Sequence, residues 1–299
     1  MISKYFFGPL AALVLLSGCG SVLSDNNEAG TADKPSPALW LVADDAGNTE
    51  GWLFGTIHAL PDGVRWRTEA LDRALQQSEA LAVEIANLDD QQALARTFYQ
   101  LALSPRQLAL VERVSSDRVK KLERMMAKGD FDQGHFQSTD TWAAAITLAQ
   151  LQSVGDSENG VDRALIRSSG NRLLIELEGT ARQLGIFDQL PAKEQIDLLH
   201  AVIDETQETD AGKPSDLVAT WIKGDMQALE QESMKGMLAD PELRSALLVQ
   251  RNQDWVRQLQ VLFPDTGPIM VAVGAAHMAG SDGLPDMLRQ QGYTVTRIQ

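Results

Sequence analysis

Cysteine is nearly missing from this chain. Among 299 residues there is one, Cys19, so no disulfide can form within it. Positive charge is also short: 26 Lys and Arg stand against 41 Asp and Glu, a net charge of −15. That balance repels phosphate backbones and anionic lipid head groups, and it excludes nucleic acid as a partner. No tandem repeat of short period is present. The apolar run Tyr5 to Leu16 is too short to span a bilayer. From Asp89 to about Gly170 the strand signal disappears and only helical periodicity remains.

What is present begins with an export signal, Lys4 followed by that apolar run. The run ends in Leu16-Ser17-Gly18-Cys19, which resembles the bacterial lipobox, where the peptide is cut before the cysteine and the thiol is lipidated. Residues 1–18 are therefore expected to be a lipoprotein signal peptide, and Cys19 the lipidated residue. Several acyl chains would anchor the protein stably to a lipid bilayer, since each buried methylene adds about 0.8 kcal/mol. The implied location is a bacterial membrane after export, the outer membrane facing the periplasm. With Cys19 acylated no thiol remains, which excludes zinc-thiolate sites and cysteine nucleophiles, so any metal must be held by His and carboxylate. Residues 19–37 are polar and read as a flexible tether. Residues 38–299 are long enough for one large α/β domain.

That domain is organised around Trp52 to Gly63, WLFGTIHALPDG. Trp52-Leu53-Phe54 reads as a buried strand stopped by Gly55, so that His58 emerges just past its end. Near the other terminus Ile269 to Val273 is again an apolar, β-branched run, and Gly274-Ala275-Ala276-His277 repeats the spacing Gly-x-x-His. Both copies precede a turn. Gly55 and Gly274 fit tight turns as well as a functional loop.

Leu39 to Ala43 and Gly51 to Phe54 flank a turn cluster and predict a hairpin. Thr68 opens a helix with Leu71, Ala74, Leu75 and Ser78 on one face, and Ala80 to Val83 is a strand ending at Glu84. This βαβ unit brings His58 and Glu84 to one crevice. The helical insertion at about 89–170 includes a capping-box spacing at Ser104-Pro105-Arg106-Gln107, a stripe of Val119, Leu122 and Met126 closed by Gly129, and a helix capped by Thr139 or Asp140. It serves either as a lid or as padding on the sheet. Arg172 to Glu178 is the next strand. Helical periodicity then runs from about Pro191 to Phe263, breaking near Lys213-Pro214 and Asp240-Pro241. A loop at 264–268, the strand before His277, a helix from Leu284 and a strand from Tyr293 to Ile298 complete the chain. The expected fold is α/β, a central mixed, partly parallel sheet with surrounding helices.

Strand-like runs thus end in His58, Glu84, Glu178 and His277, where α/β folds place ligands. Parity does not choose between Glu176 and Glu178. Two imidazoles and two carboxylates suit a divalent ion such as Mn, Co, Fe or Zn, which would make hydroxide available near neutral pH. The same groups can work without metal, with a carboxylate-oriented histidine as general base. Strand capping is the structural alternative for each histidine. His135 and His200 read as surface or packing residues. Arg251-Asn252, on the helix of Trp255, offers either a cation for an anionic intermediate or a solvated pair.

Taken together, Leu53 to His58, the Glu84 strand, Gly160-Val161-Asp162, Leu177-Glu178 with Gln183-Leu184, Arg251-Asn252 and Val273 to His277 resemble the TraB/GumN family. That family includes the Tiki proteins and is related in fold to erythromycin esterase and the haem-binding ChaN proteins. Where its pattern usually has a hydroxyl residue after Leu177-Glu178, this chain has Gly179. The resemblance implies one pocket formed by the two histidines and nearby glutamates, and a metal-dependent hydrolase, with peptidase as one class. The substrate would be a peptide or small molecule. Binding of a metal or haem-like ligand without turnover, and a metal-independent hydrolase with a histidine base, are the other readings.

Overall fold

A computed structural model describes residues 34–152, 155–205 and 217–299. The signal peptide, Cys19 and the expected break at Lys213-Pro214 lie outside the described residues. The sheet has six strands among these residues: β1 (Leu39–Ala43), β2 (Thr49–Thr56), β3 (Ala80–Val83), β4 (Leu173–Glu176), β5 (Ile269–Gly274) and β6 (Thr294–Arg297). Their order is β4-β3-β5-β2-β1-β6. β4, β3, β5 and β2 are parallel neighbours, whereas β1 runs antiparallel to both β2 and β6. The sheet is mixed, as its sequence predicts. β3 and β5 are buried along their whole lengths, which is why they read as unbroken apolar runs rather than alternating ones.

Alternation along the strands divides the interior into two layers. Trp52, Phe54, Leu81, Met270 and Ala272 pack against α1 (Glu69–Gln77), α5 (Val161–Arg167) and α8 (Leu217–Ile222). Leu53, Ala82, Val271 and Val273 face the other way, onto α11 (Gln250–Thr266) and α12 (Leu284–Gln290). α9 (Met226–Glu232) sits near the loop after β5. A separate helical core joins α2 (Gln91–Ala102), α3 (Val119–Lys128) and α4 (Thr141–Gln150) to α6 (Thr180–Asp188), α7 (Ala192–Asp204) and α10 (Pro241–Arg244). Trp142 is fully buried in it; burial of its ring contributes about 1.5–3 kcal/mol, offset in part by an indole N–H with no partner among the described residues. Of the helices expected between 89 and 170, α5 lies on the sheet and α2 to α4 in this second core.

Several local expectations change. Ser104 to Gln107 does not open a helix. Its backbone N–H groups instead bond the carbonyls of Ser138 and Gln137, while the Gln107 amide donates to Ser104 Oγ and to Asp140 Oδ1. β2 continues through Gly55 to Thr56 rather than stopping at the glycine. A Cβ at Gly55 would stand 2.9 Å from Ala275 Cα, so this glycine allows the two Gly-x-x-His segments to touch. α11 continues through Pro264 to Thr266, where the proline removes one bond from the last turn, and stops at Gly267 with φ +79. His135 stacks on Phe131, and His200 accepts from the Ser115 N–H at 3.4 Å, both packing roles.

Candidate functional site

Thr56 of β2 pairs with Gly274 of β5, so the chain leaves both strands at the same level and His58 and His277 follow at the same sheet edge. Glu84 follows β3 directly, and Glu178 comes two residues after β4. The structure therefore brings all four expected residues to one carboxyl edge, and it puts Arg251 among them.

Arg251 is 5% exposed and reaches in from α11, just after a π turn at Ser245–Val249 whose Leu247 carbonyl accepts from Nη1 at 3.1 Å. Nη2 donates to Glu84 Oε2 at 2.6 Å and to Glu178 Oε2 at 2.8 Å, and Nε donates to Glu178 Oε1 at 2.9 Å. This fork on Glu178 is the planar geometry that arginine offers and lysine does not. Nη1 also lies 3.1 Å from His277 Nε2. The guanidinium rests 4.8 Å from the Trp255 ring centre.

Glu84 is saturated. Its Oε1 accepts the Gly274 N–H at 2.8 Å, and Oε2 accepts from Gln183 at 2.8 Å as well as from Arg251. Burial pushes its pKa up, but Arg251, the two histidines and the Gly274 N–H outweigh burial and hold it at about 2. Gly274 thus contributes its N–H to the site, a role beyond turning the chain. Gly179 has φ +78, and a Cβ there would approach Glu176 Oε2 to 2.6 Å, which accounts for glycine at this position. The parity ambiguity also resolves: Glu178 pairs with Arg251, whereas Glu176 accepts the Ala86 N–H at 2.8 Å.

The two histidines differ in kind. His277 is fully buried, 4.4 Å from Trp255, with Nδ1 2.6 Å from Asn252 Oδ1. Since Arg251 can only donate, its contact makes Nε2 the acceptor, and Nδ1–H donates to Asn252. Burial first, and Arg251 second, depress its pKa to about 3, so it is neutral. Asn252 is itself fixed by the Asp282 carbonyl at 2.6 Å. Arg251-Asn252 is therefore a buried unit, not a solvated pair.

His58 pairs through Nδ1 with Asp162 Oδ1 at 3.0 Å. Its burial would lower the pKa, but Asp162 and then Glu84 overcome that and raise it to about 9. Nε2 has no hydrogen-bond partner among the described residues. Asp162 is placed by Gly160-Val161: the Val161 N–H bonds the Ile57 carbonyl at 2.9 Å, and a Cβ at Gly160 would lie 2.4 Å from the His58 carbonyl oxygen. His58, Asp162, Glu84, Gln183 and Thr56 line a cleft of about 10 Å³, room for one water-sized molecule. The Thr56 Oγ1 is buried there without a partner among the described residues. Beyond α6 lies a larger cleft of about 320 Å³ with Glu178 and Arg251 in its wall.

Asp162, Gln183 and Thr56 join the site without a role that the sequence assigns to them. The first two stand inside the quoted motifs Gly160-Val161-Asp162 and Gln183-Leu184, and Thr56 inside the first Gly-x-x-His segment, so position was the available signal. The donor set can also be tested against a divalent ion. In this arrangement both Glu84 oxygens, both Glu178 oxygens and both His277 nitrogens are engaged, and a cation already occupies their common centre. An ion does not fit between them unless Arg251 withdraws. A group of carboxylates with the spacing of a metal site lies elsewhere, at Glu194, Asp240 and Glu242.

These features define a mixed α/β protein with a buried, arginine-centred polar site at the carboxyl edge of its parallel strands. The chain belongs to the TraB/PrgY/gumN family, whose profile matches residues 38–297. It is 28% identical over 251 residues to proteins of Shigella flexneri and of Escherichia coli (strain K12), each named "Uncharacterized protein YbaP". Each match covers 81% of this chain and 89% of the relative. No solved structure matches the chain.

Proposed function

We propose that this protein is a hydrolase of peptide, amide or ester bonds, tethered to a membrane surface through Cys19, with His58 as its general base. One observation carries the reading: His58, held at Nδ1 by Asp162, faces a water-sized cleft in which Thr56 Oγ1 lacks a partner. A water between Nε2 and Thr56 Oγ1 satisfies both groups. His58 takes its proton as the water attacks a carbonyl, and Asp162 stabilises the imidazolium that forms. Gln183 donates to Glu84 from the wall of the same cleft and so helps to hold that carboxylate beside the base.

The test is turnover of a panel of peptides and esters by the full chain in detergent after chelation. The expected result is metal-free turnover that falls about 10²–10⁴-fold in His58→Gln. Turnover seen only after adding Mn²⁺ or Co²⁺ replaces this mechanism by a metal-dependent one in which Arg251 moves aside. Stoichiometric metal or haem binding with no turnover on any substrate replaces it by a binding protein. The anchor is tested separately by fractionating Cys19→Ser. A variant that stays as membrane-bound as the parent excludes lipidation at Cys19.

A further inference from the structure

We propose that Glu194, Asp240 and Glu242 form a site for one hard divalent cation of the calcium class, separate from the His58 cleft. Glu194 lies in the first turn of α7, Asp240 caps α10, and Glu242 is in the first turn of α10. Each offers one ligand atom, and these atoms all lie within 4.8 Å of one another. Two oxygens that share a Ca²⁺ at about 2.4 Å can be at most about 4.8 Å apart, and the three atoms fall within that limit. The donors are all carboxylate, a hard-ion set without the imidazole that favours zinc or copper.

A second observation points to a ligand. Glu194 is 8% exposed, and its Oε2 is buried with no hydrogen-bond partner among the described residues, although it sits in the first turn of a helix where backbone N–H groups are available. Its Oε1 contacts Lys193 Nζ at 3.2 Å, but that ammonium is shared with Asp197 at 2.7 Å. Among the described residues these three carboxylates have one shared counter-charge, which leaves a surplus of negative charge. A cation on Oε2 would remove both the unsatisfied atom and that surplus. Asp240 Oδ1 already accepts the N–H groups of Glu242 and Leu243, which leaves Oδ2 for the ion. Glu242 is exposed, so water can complete the coordination. An ion here would tie α7 to the head of the continuous helical run 241–266 that carries Arg251.

The experiment is calorimetric titration of the chelator-stripped full chain with CaCl₂ and separately with MgCl₂, with thermal unfolding alongside. The expected result is one saturable Ca²⁺ site with a Kd on the order of 10⁻⁴–10⁻³ M, as for sites with few protein ligands. Glu194→Gln and Glu242→Gln should each weaken it at least tenfold. Without Ca²⁺ the Gln variants should melt at or above the parent's midpoint, because like-charge repulsion is relieved. Glu242 is exposed, so its variant keeps the test decisive if Glu194→Gln does not fold. Absence of a saturable site, an unchanged Kd in Glu242→Gln, or a lowered midpoint of Glu242→Gln without Ca²⁺ overturns the proposal.

Discussion

Arg251 Nη2 stands 2.6 Å from Glu84 Oε2, and the same nitrogen donates to Glu178 at 2.8 Å. All three side chains are nearly sealed from solvent. One guanidinium therefore serves two buried carboxylates, which depend on it for their counter-charge. Arg251→Met should cost about 3–5 kcal/mol, the cost of leaving buried charge uncompensated. Arg251→Lys should rescue only part, because a point charge cannot replace the fork. Adding Glu84→Gln and Glu178→Gln to Arg251→Met should restore much of the loss. Urea unfolding of the four proteins is the check. A cost below about 1 kcal/mol for Arg251→Met would show that the cluster tolerates unpaired carboxylates.

The site's titrating groups also give stability a maximum in pH. His58 has its pKa raised from 6.5 to about 9, so its contribution is complete below pH 6.5 and is lost as pH rises through about 9. His277 is kept neutral, its pKa lowered from 6.5 to about 3. Below pH 6.5 the unfolded chain therefore gains a proton that the folded one refuses, and stability falls. Glu84 adds a further loss as pH drops from 4.5 through about 2. The combined contribution of these three groups to the thermal midpoint should be greatest near pH 6.5. His58→Gln should flatten the alkaline limb and His277→Gln the acid limb; parallel curves for all three proteins would refute the assignment.

Much of the architecture can be read from the residues. β3 and β5 announce themselves as unbroken apolar runs because both faces are covered, and the repeated Gly-x-x-His spacing reflects the pairing of Thr56 with Gly274. The centre of the site is harder to read. Arg251 lies on a helix whose periodicity places Trp255, Leu259 and Phe263 in the core. Nothing local says that the preceding π turn aims the guanidinium between two strand-end carboxylates. A reading that sees two His and two Glu at strand ends arrives at a metal. The arginine that neutralises them comes from an element far away in sequence, and its placement is a tertiary fact. Asp162 was hidden for the same reason, since its partner is 104 positions away.

Gly160 offers a way to disturb that partnership without touching either charged residue. A Cβ there would meet the His58 carbonyl oxygen at 2.4 Å, so the backbone of α5 must move away. Gly160→Ala should cost about 1–3 kcal/mol by overpacking. It should also bring the His58 pKa down towards 6.5 as Asp162 recedes. Gly47→Ala is the control. Its φ of +86 predicts a strain cost of about 1–2 kcal/mol, but nothing lies within 4 Å of the added atom. NMR titration of the His58 ring should therefore move in the first variant only. A shift in both, or in neither, would break the link between Gly160 and the His58–Asp162 pair.

If His58 is the base that activates water, the rate must follow its unprotonated fraction. With its pKa raised to about 9 by Asp162 and Glu84, that fraction grows tenfold per pH unit through neutrality. kcat/KM should climb from pH 6 with a slope of one and level off near pH 9. Asp162→Asn removes the principal raising influence, so the bend should move to lower pH. The plateau should drop at the same time, because the neutral amide stabilises an imidazolium poorly. Those two changes together separate the mechanism from its rivals. A residue with a merely structural role would lower the plateau and leave the bend in place. A metal-bound water would give a bend that moves with the identity of the metal, whatever stands at position 162. The measurement is the pH–rate profile of the chelated parent and of Asp162→Asn on one substrate, and an unmoved bend would remove His58 from the role of base.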